Sequence, residues 1–177
     1  ANVFVSMAFF RKVFDEVAAR HPGVAAKHHY VDATALDLVR KPWMFDVMVT
    51  ENMYGDILSD LAAALVGGMG MAPSGDIGDA HGLFQPCHGS APDIAGKGWA
   101  NPIGAIASAA MLLRFSAGLD KEASEIDHAI EDALVAGART RDLAAPGERP
   151  LSTREMGQAI EDALHDIRDR RHSYHAV

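Results

Sequence analysis

Two aspartates, Asp56 and Asp60, stand four positions apart in a segment whose sequence predicts a helix. Residues at i and i+4 share one face of a helix, so both carboxylates point to the same side. These like charges repel each other, and a divalent cation between them removes that cost. Carboxylate oxygens are hard ligands that suit Mg²⁺ or Mn²⁺. The alternative is a solvated helix face that carries two acids, which is the commoner case for such pairs.

A second stretch that could do chemistry runs from His88 to Gly96, and Asn101 and Pro102 follow it. Small residues let backbone N–H groups approach a ligand closely, and phosphates bind in such loops. The spacing matches neither the Rossmann fingerprint nor the P-loop. An acid such as Asp93 can accept hydrogen bonds from ribose hydroxyls and repel a 2′-phosphate. By itself, the composition also fits an ordinary loop.

The composition is that of a globular protein, with 177 residues, 49% apolar content and 23% charged residues. The net charge of −8 argues against nucleic acid as a partner. A single cysteine, Cys87, excludes an internal disulfide and fits a reducing cytoplasm, where we expect the protein. Cys87 could be nucleophilic, but a single buried thiol is more often inert. No apolar run approaches about 18 residues, and the start lacks a signal peptide's basic region, so no membrane association is expected.

The elements that must position these residues alternate along the first part of the chain. Short β-type runs followed by amphipathic segments predict a parallel sheet with helices, which is an α/β architecture. The predicted strands are 2–5, 27–32 and 45–50, and the predicted helices are 7–20, 33–40 and 51–66. The later segment is predicted as loop with short strands over 76–100, then helices over 101–116, 120–136 and 152–170. Asn101 is the expected N-cap of the first of these, and either Ser152 or Thr153 with Glu155 has a capping-box pattern.

Four motifs in order resemble the β-decarboxylating dehydrogenases, which include 3-isopropylmalate, isocitrate, homoisocitrate and tartrate dehydrogenases. They are Asn52-x-x-Gly-Asp-Ile-Leu-Ser-Asp60, the glycine-rich run 67–75, the loop 88–96, and Ala100-Asn-Pro. The resemblance implies an isopropylmalate-dehydrogenase-like α/β fold of two domains, with parallel or mixed sheets and flanking helices. Only its C-terminal half is represented. Residues 1–66 match part of the central dimerisation and metal-binding domain, and residues 67–177 match part of the dinucleotide-binding domain.

The resemblance also implies a set of site residues. A divalent metal, Mg²⁺ or Mn²⁺, is expected on Asp56 and Asp60, with Asp32 as a third ligand supplied by a partner subunit, so a homodimer is expected. Asp93 followed by Ile94 implies NAD rather than NADP, and Asn2 matches a residue near the nicotinamide. The residues that match the NAD site are Asn2, Ser74, His88, Gly89, Ser90, Ala91, Asp93, Ile94 and Asn101.

The reaction implied is the NAD- and metal-dependent oxidation of a 2-hydroxy acid of the 3-isopropylmalate type. Hydride leaves C2 and the β-keto acid then loses CO₂. Asp32 could share a catalytic base role, although a pure metal ligand is the simpler interpretation. His28 and His29, close to Asp32, could bind a transition metal, but a surface pair of histidines is several times commoner.

The sequence departs from the family pattern in two respects. The family's catalytic Lys would sit just before Ala1, and its Tyr and substrate-binding arginines further upstream, so we expect this chain alone to be inactive. Gln85 stands where many isopropylmalate and homoisocitrate enzymes have Glu. This difference leaves the cofactor-loop electrostatics and the substrate open, and isocitrate, homoisocitrate or tartrate dehydrogenase stays an alternative. A non-catalytic subunit that binds nucleotide or serves assembly is an alternative of another class.

Overall fold

A computed structural model describes the backbone of residues 4–174 and the side chains of residues 4–170. The chain divides into two compact units, Ala1–Leu61 and Ala62–Val177, and each is described by itself. The α/β class is confirmed. No helix in the part of the chain that the structure describes is long and apolar enough to cross a membrane. Asn2 lies outside the described residues.

All the regular secondary structure among the described residues of the first unit is helical. It contains α1 (Val5–Ala18), α2 (Val31–Arg40), a short 3₁₀ turn (Pro42–Met44) and most of α3 (Asn52–Leu65). The turn packs on α2. The predicted apolar stripe of α1 is present but not buried, since Phe9 is 67% exposed.

The strands predicted at 27–32 and 45–50 are wrong, and Val5 begins α1 instead of ending a strand. Residues 31 and 32 open α2, and residues 45–50 have no ladder partner; Val47 is 91% exposed. A parallel strand forms only between neighbours that accept its hydrogen bonds. The described part of this unit contains no strand, so these β-type runs have nothing to pair with. The predicted parallel sheet is therefore absent from the described residues.

The second unit contains a two-stranded antiparallel sheet and three helices. Strands β1 (Pro73–Ile77) and β2 (Gly82–Pro86) pair with Ser74 opposite Gln85. The helices are α4 (Ile103–Phe115), α5 (Asp120–Val135) and α6 (Thr153–Tyr174), close to their predicted positions. The sheet packs on α4, and α5 lies against both α4 and α6. The helices bury the core, whose members are Ile103, Ala129, Ile130, Ala133, Met156 and Ile160.

The predicted N-cap of α4 is displaced by one residue, because Pro102 rather than Asn101 occupies the cap position and the helix begins at Ile103. The side-chain Oδ1 of Asn101 nevertheless accepts a hydrogen bond from the backbone N–H of Ile103 at 3.0 Å. The capping box of α6 is confirmed, because Ser152 and Glu155 exchange bonds of 2.7 and 3.2 Å. The backbone N–H of Ser152 is the main cause that holds the pKa of Glu155 below its usual value.

A group of polar contacts, here called the Asn101 network, joins three segments of the second unit. The side-chain amide of Asn101 donates to Asp142 at 3.1 Å, and Asp142 also accepts a hydrogen bond from Thr140 at 2.6 Å. Gly70 lies against both Asn101 and Asp142, and its carbonyl accepts a hydrogen bond from Gly104 N–H at 2.8 Å. Thr140 is fully buried and Asn101 is 6% exposed. The network thus holds the glycine-rich loop, the start of α4 and the loop after α5 together.

Gly70→Ala tests how tightly this network is packed. An added Cβ would lie 2.7 Å from Asp142 Oδ2 and 2.8 Å from Asn101 Cβ. Asn101 is buried, and the exposed carboxylate of Asp142 is held by its hydrogen bonds from Asn101 and Thr140. We expect overpacking to lower the free energy of unfolding by about 1–3 kcal/mol, measured by urea denaturation. Gly89→Ala is the control, because no atom lies within 4 Å of its added Cβ. Equal stabilities of the two variants would contradict the packing described.

Candidate functional site

Helix α3 begins at a cap that sequence reasoning missed. The carboxylate of Glu51 accepts hydrogen bonds from the backbone N–H groups of Met53 and Tyr54, each at 2.8 Å. These donors lack partners within the helix, so the cap stabilises its first turn. An acid directly before the helix was the available signal. The cap fixes the helix start, and Asp56 and Asp60 therefore fall on consecutive turns of one face.

The carboxylates of Asp56 and Asp60 are available to a ligand. Both residues are exposed. Within the described residues, neither carboxylate forms a hydrogen bond or an ion pair. Two unpaired acids on adjacent turns fit the hard-ligand chemistry of Mg²⁺ or Mn²⁺.

Asp32 lies at the second position of α2 rather than on a strand. Its Oδ1 accepts a hydrogen bond from the backbone N–H of Ala33 at 2.8 Å, and the residue is exposed. Among residues whose side chains are described, no three metal-ligating groups come together. Asp32 is thus not brought into one group with Asp56 and Asp60 inside this chain.

The histidine pair beside Asp32 is occupied by other partners. His28 Nε2 lies 2.7 Å from a carboxylate oxygen of Asp15 on α1. His29 Nδ1 lies 2.9 Å from the hydroxyl of Thr34, and its Nε2 lies 3.5 Å from Asp37 Oδ2. These contacts attach the segment before α2 to two helices, which favours a structural role over metal binding.

One loop between β2 and α4 contains most of the residues that match the NAD site. It starts where the backbone N–H of Cys87, an exposed thiol, donates to the carbonyl of Ala72 at 3.1 Å. Ala91 has a φ of +41°, and its carbonyl accepts a hydrogen bond from Ile94 N–H at 3.1 Å. The exposed carboxylate of Asp93 stands in this turn. The predicted residues gathered in the loop are His88, Gly89, Ser90, Ala91, Asp93 and Ile94.

The two remaining NAD-site residues within the described chain are held in ordered elements. Ser74 is half-buried on β1, directly opposite Gln85. Asn101 is buried, and its amide already serves Ile103, Asp142 and the sulfur of Met71. Asn101 is therefore first a structural residue at the end of the loop. The roles of Thr140 and Asp142 were missed, although Thr-x-Asp is a spacing that lets a hydroxyl bond a nearby carboxylate.

The far end of the loop carries positive charge around an indole ring. The ammonium of Lys97 lies 4.9 Å from the ring centroid of Trp99, and the guanidinium of Arg141 lies 4.3 Å from it. A cation over an indole face is attracted by the negative face of the ring. In a protein with a net charge of −8, this places two cations beside a loop suited to phosphate.

Comparison with known proteins gives matches along most of the chain. Residues 1–160 match the family model of isocitrate/isopropylmalate dehydrogenases. A 3-isopropylmalate dehydrogenase of Halalkalibacterium halodurans is 50% identical over 93% of this chain and 46% of its own length. A 3-isopropylmalate dehydrogenase of Geobacillus kaustophilus is 52% identical over 94% of the chain and 45% of its own length. The chain thus spans about half the length of the curated relatives it matches.

Solved structures of the same group of enzymes also match the chain. The isocitrate dehydrogenase of Methylococcus capsulatus matches 89% of this chain and 46% of its own, with 40% identity and a TM-score of 0.80. A β-decarboxylating dehydrogenase of Thermococcus kodakarensis matches 95% of this chain and 48% of its own, with 43% identity and a TM-score of 0.78. The chain belongs to the isocitrate/isopropylmalate dehydrogenase family.

Proposed function

We propose that this chain supplies metal-binding and dinucleotide-binding residues for the oxidative decarboxylation of a 2-hydroxy acid of the 3-isopropylmalate type, with NAD and Mg²⁺ or Mn²⁺ as cofactors. The observation that carries the proposal is the pair of unpaired carboxylates, Asp56 and Asp60, on consecutive turns of α3. The substrate class rests on relatives named 3-isopropylmalate dehydrogenase that are about half identical to the chain.

The metal is assigned to Asp56 and Asp60 of one copy and to Asp32 of a second copy. Because the described side chains of one chain bring no three ligands together, a third carboxylate from a partner would complete the set. Asp32 is exposed, and only one of its oxygens is engaged by Ala33. A homodimer is therefore part of this proposal.

Asp93 has a selective role in the proposed dinucleotide site. Its exposed carboxylate can accept hydrogen bonds from ribose hydroxyls, and it repels a 2′-phosphate. The backbone of the loop, with its small residues at 89–91, leaves N–H groups near the ligand. Lys97 and Arg141 add positive charge at the end of the loop. Asp93 supports NAD over NADP as the preferred cofactor, whereas the two cations suit the pyrophosphate that both dinucleotides share.

The chemistry divides between the bound groups and the protein. When bound, a divalent metal lowers the energetic cost of an alkoxide at C2 and of the enolate formed on loss of CO₂, and NAD accepts hydride. Asp56 and Asp60 hold the charge that attracts the metal. Asp32 of a second copy of the chain would supply the third carboxylate to the same metal. Of the proposed site residues only Asp32 could share in proton transfer, so we expect no turnover by this chain alone.

Asp56→Asn tests the metal assignment. Removal of one charged ligand should weaken Mn²⁺ binding at least about tenfold, since loss of even an outer-shell partner typically has that effect. Isothermal titration calorimetry of the 177-residue chain measures the change. Asp79→Asn is the control, an exposed acid in the turn between β1 and β2. Equal Mn²⁺ affinity in both variants would remove Asp56 from the site, and no binding by the parent chain would favour an assembly subunit.

Asp93→Lys tests cofactor selection. Reversal of the charge should raise the affinity for NADP⁺ relative to NAD⁺ by about tenfold or more, because a hydrogen bond to a charged group is worth about 1.5–3 kcal/mol. The ratio of the two dissociation constants is the measurement. Asp93→Asn removes the charge without reversing it and should give an intermediate ratio. An unchanged ratio in both variants would exclude Asp93 from this role.

A further inference from the structure

The loop from His88 to Gly96 is held at its ends and not along its length. In the part of the chain that the structure describes, hydrogen bonds join this stretch only to its own turn, such as Ile94 to Ala91 at 3.1 Å and Lys97 to Ile94 at 3.1 Å. Its start is fixed by the bond from Cys87 to Ala72. The conformation of the whole loop therefore depends on what fixes its other end.

Thr153 helps to fix that other end, next to the Asn101 network. Its backbone N–H donates to the carbonyl of Gly98 at 2.8 Å, and its hydroxyl donates to the carbonyl of Ala100 at 2.5 Å. The two carbonyls flank Trp99. Thr153 is the first residue of α6, where backbone N–H groups have no partner inside the helix. The carbonyl of Gly98 thus provides a hydrogen-bond partner for a free N–H group at the start of α6, and the first residue of α6 in turn holds the end of the loop.

Thr153 is itself firmly positioned. The adjacent capping box of Ser152 and Glu155 fixes the helix start. Three residues further on, Met156 is fully buried in the core of the second unit. Leu151 N–H donates to the carbonyl of Arg139 at 2.7 Å, which ties the preceding residues to the loop after α5. Thr153 therefore connects the end of the loop to the helical core of the second unit.

We propose that Thr153 is a positioning residue for the dinucleotide loop, which it holds through the carbonyls of Gly98 and Ala100. This inference rests on the proposed function, because Thr153 can affect cofactor binding only if this loop binds the dinucleotide. Loss of the hydroxyl frees the Ala100 carbonyl and loosens the segment that leads into Asn101. Binding of the cofactor would then have to order that segment, which lowers affinity.

The test uses a chain in which Trp43→Phe leaves Trp99 as the single tryptophan. Thr153→Val removes the hydroxyl at nearly constant volume, and Thr153→Ser is the matched control that keeps it. We expect Thr153→Val to raise the dissociation constant of NADH about fivefold, the equivalent of about one net hydrogen bond. Acrylamide quenching of Trp99 should rise in the same variant. Thr153→Ser should remain within about twofold of the parent in both measurements.

Circular dichroism establishes whether each variant is folded, and Thr153→Ala replaces the valine variant should valine disturb the start of α6. Wild-type NADH affinity in a folded variant without the hydroxyl would overturn the proposal. Weakened NADH binding without a change in Trp99 quenching would also overturn it, because the substitution would then lower affinity without loosening the end of the loop. Absence of NADH binding by the parent chain would instead overturn the proposed function, and the role of Thr153 with it.

Discussion

The hydrogen bond from the buried amide of Asn101 to Asp142 is the interaction on which the organisation of the second unit depends. The buried hydroxyl of Thr140 donates a hydrogen bond to Asp142 and orients it. Asn101 and Asp142 both lie so close to Gly70 that a Cβ at that position would clash with them. A buried amide without its partners would cost about 1–3 kcal/mol. The network therefore keeps the glycine-rich loop, the start of α4 and the loop after α5 in one arrangement, and the loop proposed to bind the dinucleotide ends within it.

The two candidate sites are built on different physical grounds. The acids of α3 are exposed and unpaired, and the helix itself sets their spacing through its 3.6-residue period. The loop proposed to bind the dinucleotide has hydrogen bonds only within its own turn, and contacts with Ala72, Thr153 and the Asn101 network hold its two ends. A metal site can thus be recognised from local sequence, whereas a loop site depends on residues distant in the chain.

The same distinction explains what could be predicted from the sequence. The acidic pair on α3, the helices of the second unit and the capping box at Ser152 follow local patterns, and the structure contains them. The strand at 45–50 was wrong, because a β-type run needs neighbouring strands that the described residues do not provide. Asp142 and Thr153 were missed, because each acts on residues about 40 to 55 positions away.

We propose that the loop from His88 to Asn101 is a dinucleotide site held by the fold of the second unit. Hydrogen–deuterium exchange of the 177-residue chain, with and without saturating NAD⁺, tests this most directly. We predict slower exchange in peptides that cover residues 88–101, and unchanged exchange in α5, which lies outside the site. Identical exchange of residues 88–101 with and without NAD⁺ would contradict the claim.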